Sequence, residues 1–289
     1  LSSQCLLNIY RGRKEEALAN LQQFEAEIEK YGFRHFYAWL TIYKCLVYPR
    51  VGKLADAEKI LAGWLQMCTE PTFRRAMALL FVGFCAYYRA AVVEGTAALR
   101  EAAEIFRKGP LRSEFQYQAA RKGLGIAAYL RHDHAEADVI LHEVLAYACS
   151  INSHTLIADA HLLIGLNRYA ARDLRAAGRH LRAAFAIIVA RRLDQLVVTH
   201  SDDLACACLL ALKLQVLDDG SWVKQLLAKN PNPAIVRELQ EEIRTTIQAG
   251  PKRILRECLG AIREAELPRL EIRTLGELSL RLDGATILA

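Results

Sequence analysis

The sequence predicts an all-α fold, a right-handed solenoid of stacked helical hairpins that ends in a short C-terminal β-hairpin. Three observations indicate it. A pattern of two small residues and a leucine recurs about every forty residues. Apolar residues follow helical spacing on both sides of short polar turns. The apolar period changes to two only after Pro268. Internal repeats of this length are typical of solenoids.

A small residue near the middle of a helix opens each of five units. These residues are Cys5, Cys45, Gly83, Gly125 and Gly165. Twelve positions later comes a second small residue, at Ala17, Ala57, Gly95, Ala137 and Ala177. Four positions further comes Leu21, Leu61, Leu99, Leu141 and Leu181. Because small side chains let two helices approach closely, the pattern predicts a hairpin whose second helix crosses the first at this point.

One hairpin cannot bury its apolar face alone, whereas stacked hairpins can. We therefore assign residues 1–190 to five TPR-like helical hairpins of about forty residues and 191–230 to a capping helical pair. Residues 231–268 read as linker helices bounded by prolines. In 269–289, alternating leucines and Asp283-Gly284 predict the β-hairpin, which is also the possible start of a truncated domain.

The repeat units resemble the tetratricopeptide (TPR) repeat. Leu124-Gly125 with Ala137, and Ile164-Gly165 with Ala177, match its Leu-Gly pair and its small residue opening the second helix. The longer period is similar to that of the sensor region of the maltose-regulon activator family. Those proteins are bacterial transcription activators with an ATPase module, a TPR-like sensor and a DNA-binding domain. The resemblance implies a cytoplasmic regulatory module.

The stretch LEIRTLGELSLRLDG, which starts at Leu270, carries a second resemblance. It is similar to the opening strands of the winged-helix DNA-binding domain of antibiotic-pathway activators. The recognition helix of such a domain is not in this chain, so we expect contact with DNA only through a domain absent from it. Because the sequence begins at Leu1 without an initiator methionine, we also expect a fragment of a larger protein.

Composition narrows the class of protein. Hydrophobic residues make up 53% and charged residues 24% of the chain, which is typical of a folded domain. The net charge of +6 is mild and spread along the chain, so it favours no nucleic-acid tail. No run of apolar residues is long enough to predict a membrane helix. The spacing of the eight cysteines fits no metal-site signature, and we expect reduced thiols.

No constellation for covalent chemistry stands out, so we predict that the chain is not an enzyme and needs no cofactor. A phosphate-binding GxxxxGK[ST] loop is absent from the sequence. His132, His134 and His142 lie near acidic residues, but His132 and His134 fall on the turn between two helices and no metal-ligand spacing follows, so a solvated turn is favoured over a metal site. The segment from Thr199 to Asp203 is better explained as a helix N-cap than as a catalytic triad.

The candidate binding surface is the concave face, which the first helix of each hairpin is expected to line. Tyr87, Tyr129 and Tyr169 each follow the small residue of their unit by four positions. Either they line this groove or they seal the junction between neighbouring hairpins, and the sequence leaves both open. The full expected set is Trp39, Phe84, Tyr87, Arg121, Lys122, Tyr129, Asp159, His161 and Tyr169. Aromatic faces with a few polar groups suit a peptide or a sugar-like ligand.

Two functions follow from this reading. The first is a sensor module of a bacterial ATP-dependent transcriptional activator, with a small-molecule inducer or a protein or peptide partner in the groove. The alternative is a general TPR scaffold that binds a peptide or helix there. Neither needs a membrane, and the sequence does not exclude a homo-oligomer.

Overall fold

The computed structural model describes residues 2–33, 36–109, 112–194, 196, 201–217, 220–229, 232–266, 270–273, 279–282 and 285–288. The chain forms two compact units, Leu1–Leu217 and Asp218–Ala289. The helix Ser201–Lys213 therefore belongs to the first unit and the helix Ser221–Lys229 to the second. The domain bounds drawn from the sequence stay predictions.

In the described residues of the first unit, ten helices pair as five consecutive hairpins, and one further helix follows. The hairpins are α1 (Ser2–Tyr10) with α2 (Lys14–Tyr31), α3 (Tyr37–Val47) with α4 (Leu54–Met67), α5 (Phe73–Tyr88) with α6 (Val92–Lys108), α7 (Glu114–Leu130) with α8 (His134–Ser150), and α9 (His154–Ala170) with α10 (Leu174–Arg191). A 3-10 turn at Tyr48–Val51 follows α3, and α11 (Ser201–Lys213) follows the last hairpin. The helical-hairpin repeat is confirmed.

The repeated small residues lie where the two helices of a hairpin cross. A Cβ atom placed on Gly125 would lie 2.8 Å from a Leu141 methyl carbon, and one on Gly165 would lie 2.9 Å from Leu181. In the first hairpin the Cys5 thiol contacts the Ala17 carbonyl oxygen at 3.6 Å. Leu141 and Leu181 thus fill the space that the glycines leave open, as the repeat pattern predicts.

The turn inside each hairpin repeats as well. Seven residues after each small residue the backbone adopts positive φ, at Gly12, Gly52, Ala90, His132 and Arg172. Around that position an N–H donates to the carbonyl five residues earlier, as from Asp133 to Ala128 and from Asp173 to Arg168, both at 2.9 Å. This hydrogen bond is the Schellman cap of the first helix. Asp133 and Asp173 also cap the following helix with their carboxylates.

The second unit contains α12 (Ser221–Lys229), α13 (Pro233–Thr245), α14 (Ala249–Glu266) and a small sheet. The Asn232 side chain caps α13 by accepting from the Ala234 N–H at 2.8 Å, and Pro233 opens that helix. Leu239 of α13 and the Cys258 and Ile262 side chains of α14 are buried. These helices bury apolar faces of their own.

The predicted C-terminal β-hairpin is wrong. The described part of this region forms three antiparallel strands in the order β1 (Leu270–Arg273), β2 (Ser279–Leu282) and β3 (Ala285–Leu288). Leu270 pairs with Leu282 across β1 and β2, while β3 pairs with the other edge of β2. Since a two-stranded ribbon is marginal in water, a third strand supplies pairing that a hairpin lacks. Asp283-Gly284 lies outside the described residues.

Candidate functional site

The array of five hairpins closes on itself. The Asp194 N–H, just after α10, donates to the Tyr10 carbonyl oxygen at the end of α1 at 2.9 Å. The Tyr10 side chain hydrogen-bonds to Thr155 at the start of α9, and burial raises the pKa of its hydroxyl. The first hairpin therefore meets the fifth, and the inner face of the array becomes the wall of a chamber.

That chamber is a cavity of about 490 Å³. All five first helices contribute to its lining, most of which is apolar. The aromatic side chains in it are Tyr10, Trp39, Trp64, Phe73, Phe81, Phe84, Tyr88 and Phe115. Small-molecule sites have volumes of this order and combine such a lining with a few polar groups.

Among the residues that the structure describes, four charged side chains line the cavity: Arg50, Arg74, Lys122 and Asp159. Lys122 is 1% exposed and forms an ion pair with Asp159, which is 4% exposed. The pair joins α7 to α9 across the chamber wall. Because both charges are removed from water, each depends on the other for compensation.

The structure brings four of the nine predicted site residues to this cavity. Trp39, Phe84, Lys122 and Asp159 all belong to its lining. Lys122 and Asp159 were expected to orient a ligand, but in the structure they form an ion pair with each other. Trp39 is 55% exposed, so it forms part of the rim.

The other five predicted residues lie elsewhere. The Tyr87 hydroxyl donates to the Gly123 carbonyl oxygen at 3.0 Å, between the third and fourth hairpins. Burial raises the pKa of Tyr87 to about 12 and that of Tyr129 to about 12. Arg121 pairs with Glu143 of its own hairpin. His161 and Tyr169 are half-buried outside the cavity lining.

The register of the repeat explains which residues sequence reasoning missed. In the first three units, the side chains one and five positions after the small residue reach the cavity, as with Phe84 and Tyr88 in the third. In earlier units the same positions are Leu6 and Tyr10, then Leu46 and Arg50. The tyrosines four positions after the small residue are turned about 100° away from this stripe. A search for polar or aromatic residues at the fifth position would have found Tyr10, Arg50 and Tyr88.

Of the two histidines predicted to lie on a turn, His132 lies on it and His134 is the first residue of α8. His132 adopts positive φ between α7 and α8, and the His134 ring contacts the Asn167 side-chain oxygen at 2.9 Å. Among the side chains that the structure describes, no three from histidine, cysteine, aspartate or glutamate are placed to share a metal ion. None of the described helices is both long and apolar enough to span a bilayer. Thr199 and His200 lie outside the described residues.

A second histidine group was not foreseen. His142, His161 and His180 meet on α8, α9 and α10, with 3.0 Å between the Nδ1 atoms of His161 and His180. The His142 and His180 rings lie 5.6 Å apart between centroids. Burial, followed by the neighbouring His161, His142, Arg168 and Arg179, lowers the pKa of His180 to about 4.

This group should make the fold acid-sensitive. An unfolded histidine takes up a proton near pH 6.5 and the folded His180 only near pH 4, so unfolding binds protons within that window. The contribution of His180 to the free energy of unfolding is therefore fully retained above pH 6.5 and decreases as the pH drops toward 4. The unsubstituted chain should lose unfolding free energy when the pH is lowered from about 7 to about 4.5. In His180→Gln we expect this loss to be smaller by about 1–2 kcal/mol, a value that allows for solvent screening. Urea titrations at a series of pH values measure it.

The matched control is Ala186→Gln, an exposed position on α10, the helix that carries His180. Because it removes no titratable group, its stability should follow the same pH dependence as that of the unsubstituted chain. An identical pH profile for His180→Gln would contradict the assignment.

Comparison with solved structures shows a likeness that covers most of the chain. Among solved structures, the crystal structure of the apo form of RapI is similar to this chain, with a TM-score of 0.47 and 14% sequence identity. The similarity covers 91% of this chain and 96% of that one. No protein-family model and no curated protein matches the sequence.

Proposed function

We propose that the chain is a ligand-sensing regulatory module whose effector occupies the chamber inside the five-hairpin array. The observation that carries the proposal is the cavity of about 490 Å³ between the five first helices, with its aromatic lining and few polar groups. Such a combination favours a small organic molecule over an extended polymer. The described residues supply recognition, and the proposal requires no covalent step.

The closure of the array offers a route for a signal. Tyr10 of the first hairpin and Thr155 of the fifth both line the cavity and bond to each other. An effector that touches both would bind the closed array more tightly than an opened one. A ligand shifts a conformational equilibrium only by such a difference in affinity. Occupancy would thereby be converted into a change in how the first and fifth hairpins meet.

The biological setting is a further part of the proposal. The TPR-like pattern around Gly125 and Gly165 and its forty-residue period support a sensor of a bacterial ATP-dependent transcriptional activator. In that setting the effector is an inducer, and the ATPase and DNA-binding activities belong to other parts of the protein. Transcription assays of the intact regulator with and without the effector would test this setting.

Filling the cavity should abolish effector binding. Ala119 lines the cavity on α7, and a phenyl group there would occupy the space of the effector. We expect a small-metabolite panel to contain compounds that raise the melting temperature of the unsubstituted chain, since binding to the folded state stabilises it by mass action. In Ala119→Phe the same compounds should produce no shift. Differential scanning fluorimetry measures both.

The matched control is Ala186→Phe, an exposed position on α10 that is not part of the lining. It should keep the full shift. A compound that stabilises Ala119→Phe as strongly as the control would place its site outside the cavity and overturn the proposal.

Peptide binding is the second candidate, and a separate observation favours it. Exposed aromatic side chains gather around the start of α3, where Tyr31 stacks on Phe33 at 5.7 Å and Phe33 meets Phe36 at 6.2 Å. Trp39, which is both exposed and in the cavity lining, is on the same helix. Exposed aromatic groups of this kind are typical of protein interaction sites. A partner whose binding is lost in Trp39→Ala but retained in Ala119→Phe would favour this scaffold function.

A further inference from the structure

The charges in the cavity do not balance. Arg50, Arg74 and Lys122 contribute three positive charges, and Asp159 contributes one negative charge, so the lining has an excess of two positive charges. Lys122 and Asp159 neutralise each other in their buried ion pair. The two arginines therefore account for the excess. Arg74 is exposed, whereas Arg50 is half-buried among the aromatic side chains.

Arg50 is held in place at the cavity wall. Its Nη1 donates to the Leu46 carbonyl oxygen at 2.5 Å, one turn earlier. Burial raises the pKa of Tyr10 and of Cys85, and the charge of Arg50 acts against both shifts. The charge of the guanidinium thus acts on Tyr10 of the first hairpin and on Cys85 of the third. Both of these side chains line the cavity.

Arg50 forms no ion pair with any carboxylate in the part of the chain that the structure describes. A guanidinium carries five N–H donors in a planar fork, and the Leu46 carbonyl accepts only one bond from it. The fork matches the two oxygens of a carboxylate, or those of a sulfonate or phosphate. In a lining that is otherwise mostly apolar, an anion on the ligand would compensate this charge better than water at the rim.

We propose that the cavity binds an apolar small molecule carrying one anionic group, which the guanidinium of Arg50 holds. The apolar body lies against the aromatic lining, including Phe81, Phe84 and Tyr88. The Lys122–Asp159 pair stays intact and takes no part in holding the anion. This inference rests on the proposed function, because it assigns the chemistry of the effector to the same cavity.

Two fluorescent dyes with the same rings separate charge from apolar burial. Anilinonaphthalene sulfonate carries one anionic group, and phenylnaphthylamine is its uncharged counterpart. Both brighten in apolar surroundings, so each dissociation constant can be titrated on the full chain. We expect the sulfonate to bind more tightly than the amine. Arg50→Gln should weaken the sulfonate at least about tenfold, since hydrogen bonds to charged groups are the strong ones, and should change the amine less than about twofold.

Arg107→Gln is the matched control, because Arg107 lies exposed on α6 and pairs only with Glu104 among the described residues. It should leave both dissociation constants unchanged. Should Arg50→Gln fail to fold, the salt dependence of the unsubstituted chain decides. Added salt should weaken the sulfonate and leave the amine unaffected.

The outcomes separate the two proposals. If both dyes bind equally well, or if Arg50→Gln weakens them equally, the anion assignment is overturned while the ligand cavity stands. A sulfonate affinity that does not change with salt overturns the assignment as well. If neither dye binds the folded chain, the cavity is no ligand site, and the proposed function falls together with this inference.

Discussion

Gly83→Val should lower the free energy of unfolding by about 3 kcal/mol, the upper part of the range for overpacked cores. A Cβ atom on Gly83 would lie 2.4 Å from the Leu99 Cγ atom. Leu99 is fully buried and cannot retreat, because a Cβ on Gly123 of the next hairpin would lie 2.6 Å from its Cδ1 atom. Urea denaturation followed by circular dichroism measures the loss.

Gly63→Val is the matched control. Gly63 is also in the middle of a helix, α4, and no atom lies within 4 Å of a Cβ built there. Because valine has a somewhat better helix propensity than glycine, this variant should be as stable as the original chain to within about 0.5 kcal/mol. Combining Gly83→Val with Leu99→Ala should recover part of the loss, as expected for two residues in contact. Equal stability of the Gly83 and Gly63 variants would refute the close helix crossing.

Asp159→Asn should destabilise the fold by about 3–5 kcal/mol, because it leaves the buried ammonium of Lys122 without a counter-charge. Replacing both partners, as Lys122→Met with Asp159→Leu, should restore most of the stability. Removing both charges together leaves no unpaired charge and no large cavity. Thermal and urea unfolding of the single and double variants measure the coupling.

The control for this cycle is Glu104→Ala, which removes an exposed carboxylate that pairs with Arg107 and Lys108 on α6. Surface pairs contribute little, so its unfolding curve should overlay that of the unsubstituted chain. A double variant that is no more stable than Asp159→Asn alone would contradict the pairing. It would indicate instead that Asp159 stabilises the fold through other groups.

The helical hairpins could be predicted because the contacts that form them join residues that are close together in the sequence. Gly125 meets Leu141 sixteen residues later, and Gly165 meets Leu181 at the same separation. Both residues of each contact belong to one repeat, so the contact leaves a periodic trace in the sequence. The pairing of the third strand of the C-terminal sheet leaves no periodic pattern in the sequence. The predicted hairpin therefore did not include that strand.

The candidate site could be predicted only in part. Trp39, Phe84, Lys122 and Asp159 were placed on the first helices by their register, and they line the cavity. Sequence reasoning did not reveal that Lys122 and Asp159 pair with each other, because their repeats carry different residues at these positions. Arg50 was missed since it lies in a 3-10 turn just beyond its helix.

The sequence by itself determined the repeat, its register and the close crossing inside each hairpin, because side-chain size along a helix decides how near a second helix can come. Only the tertiary structure decided which stripe of the first helices faces the interior. One residue turns a helix by about 100°, and the rotation of each helix depends on its packing against neighbouring hairpins. The chamber likewise exists only because Tyr10 meets Thr155 and Asp194, residues far along the chain whose contact depends on the summed curvature of five hairpins.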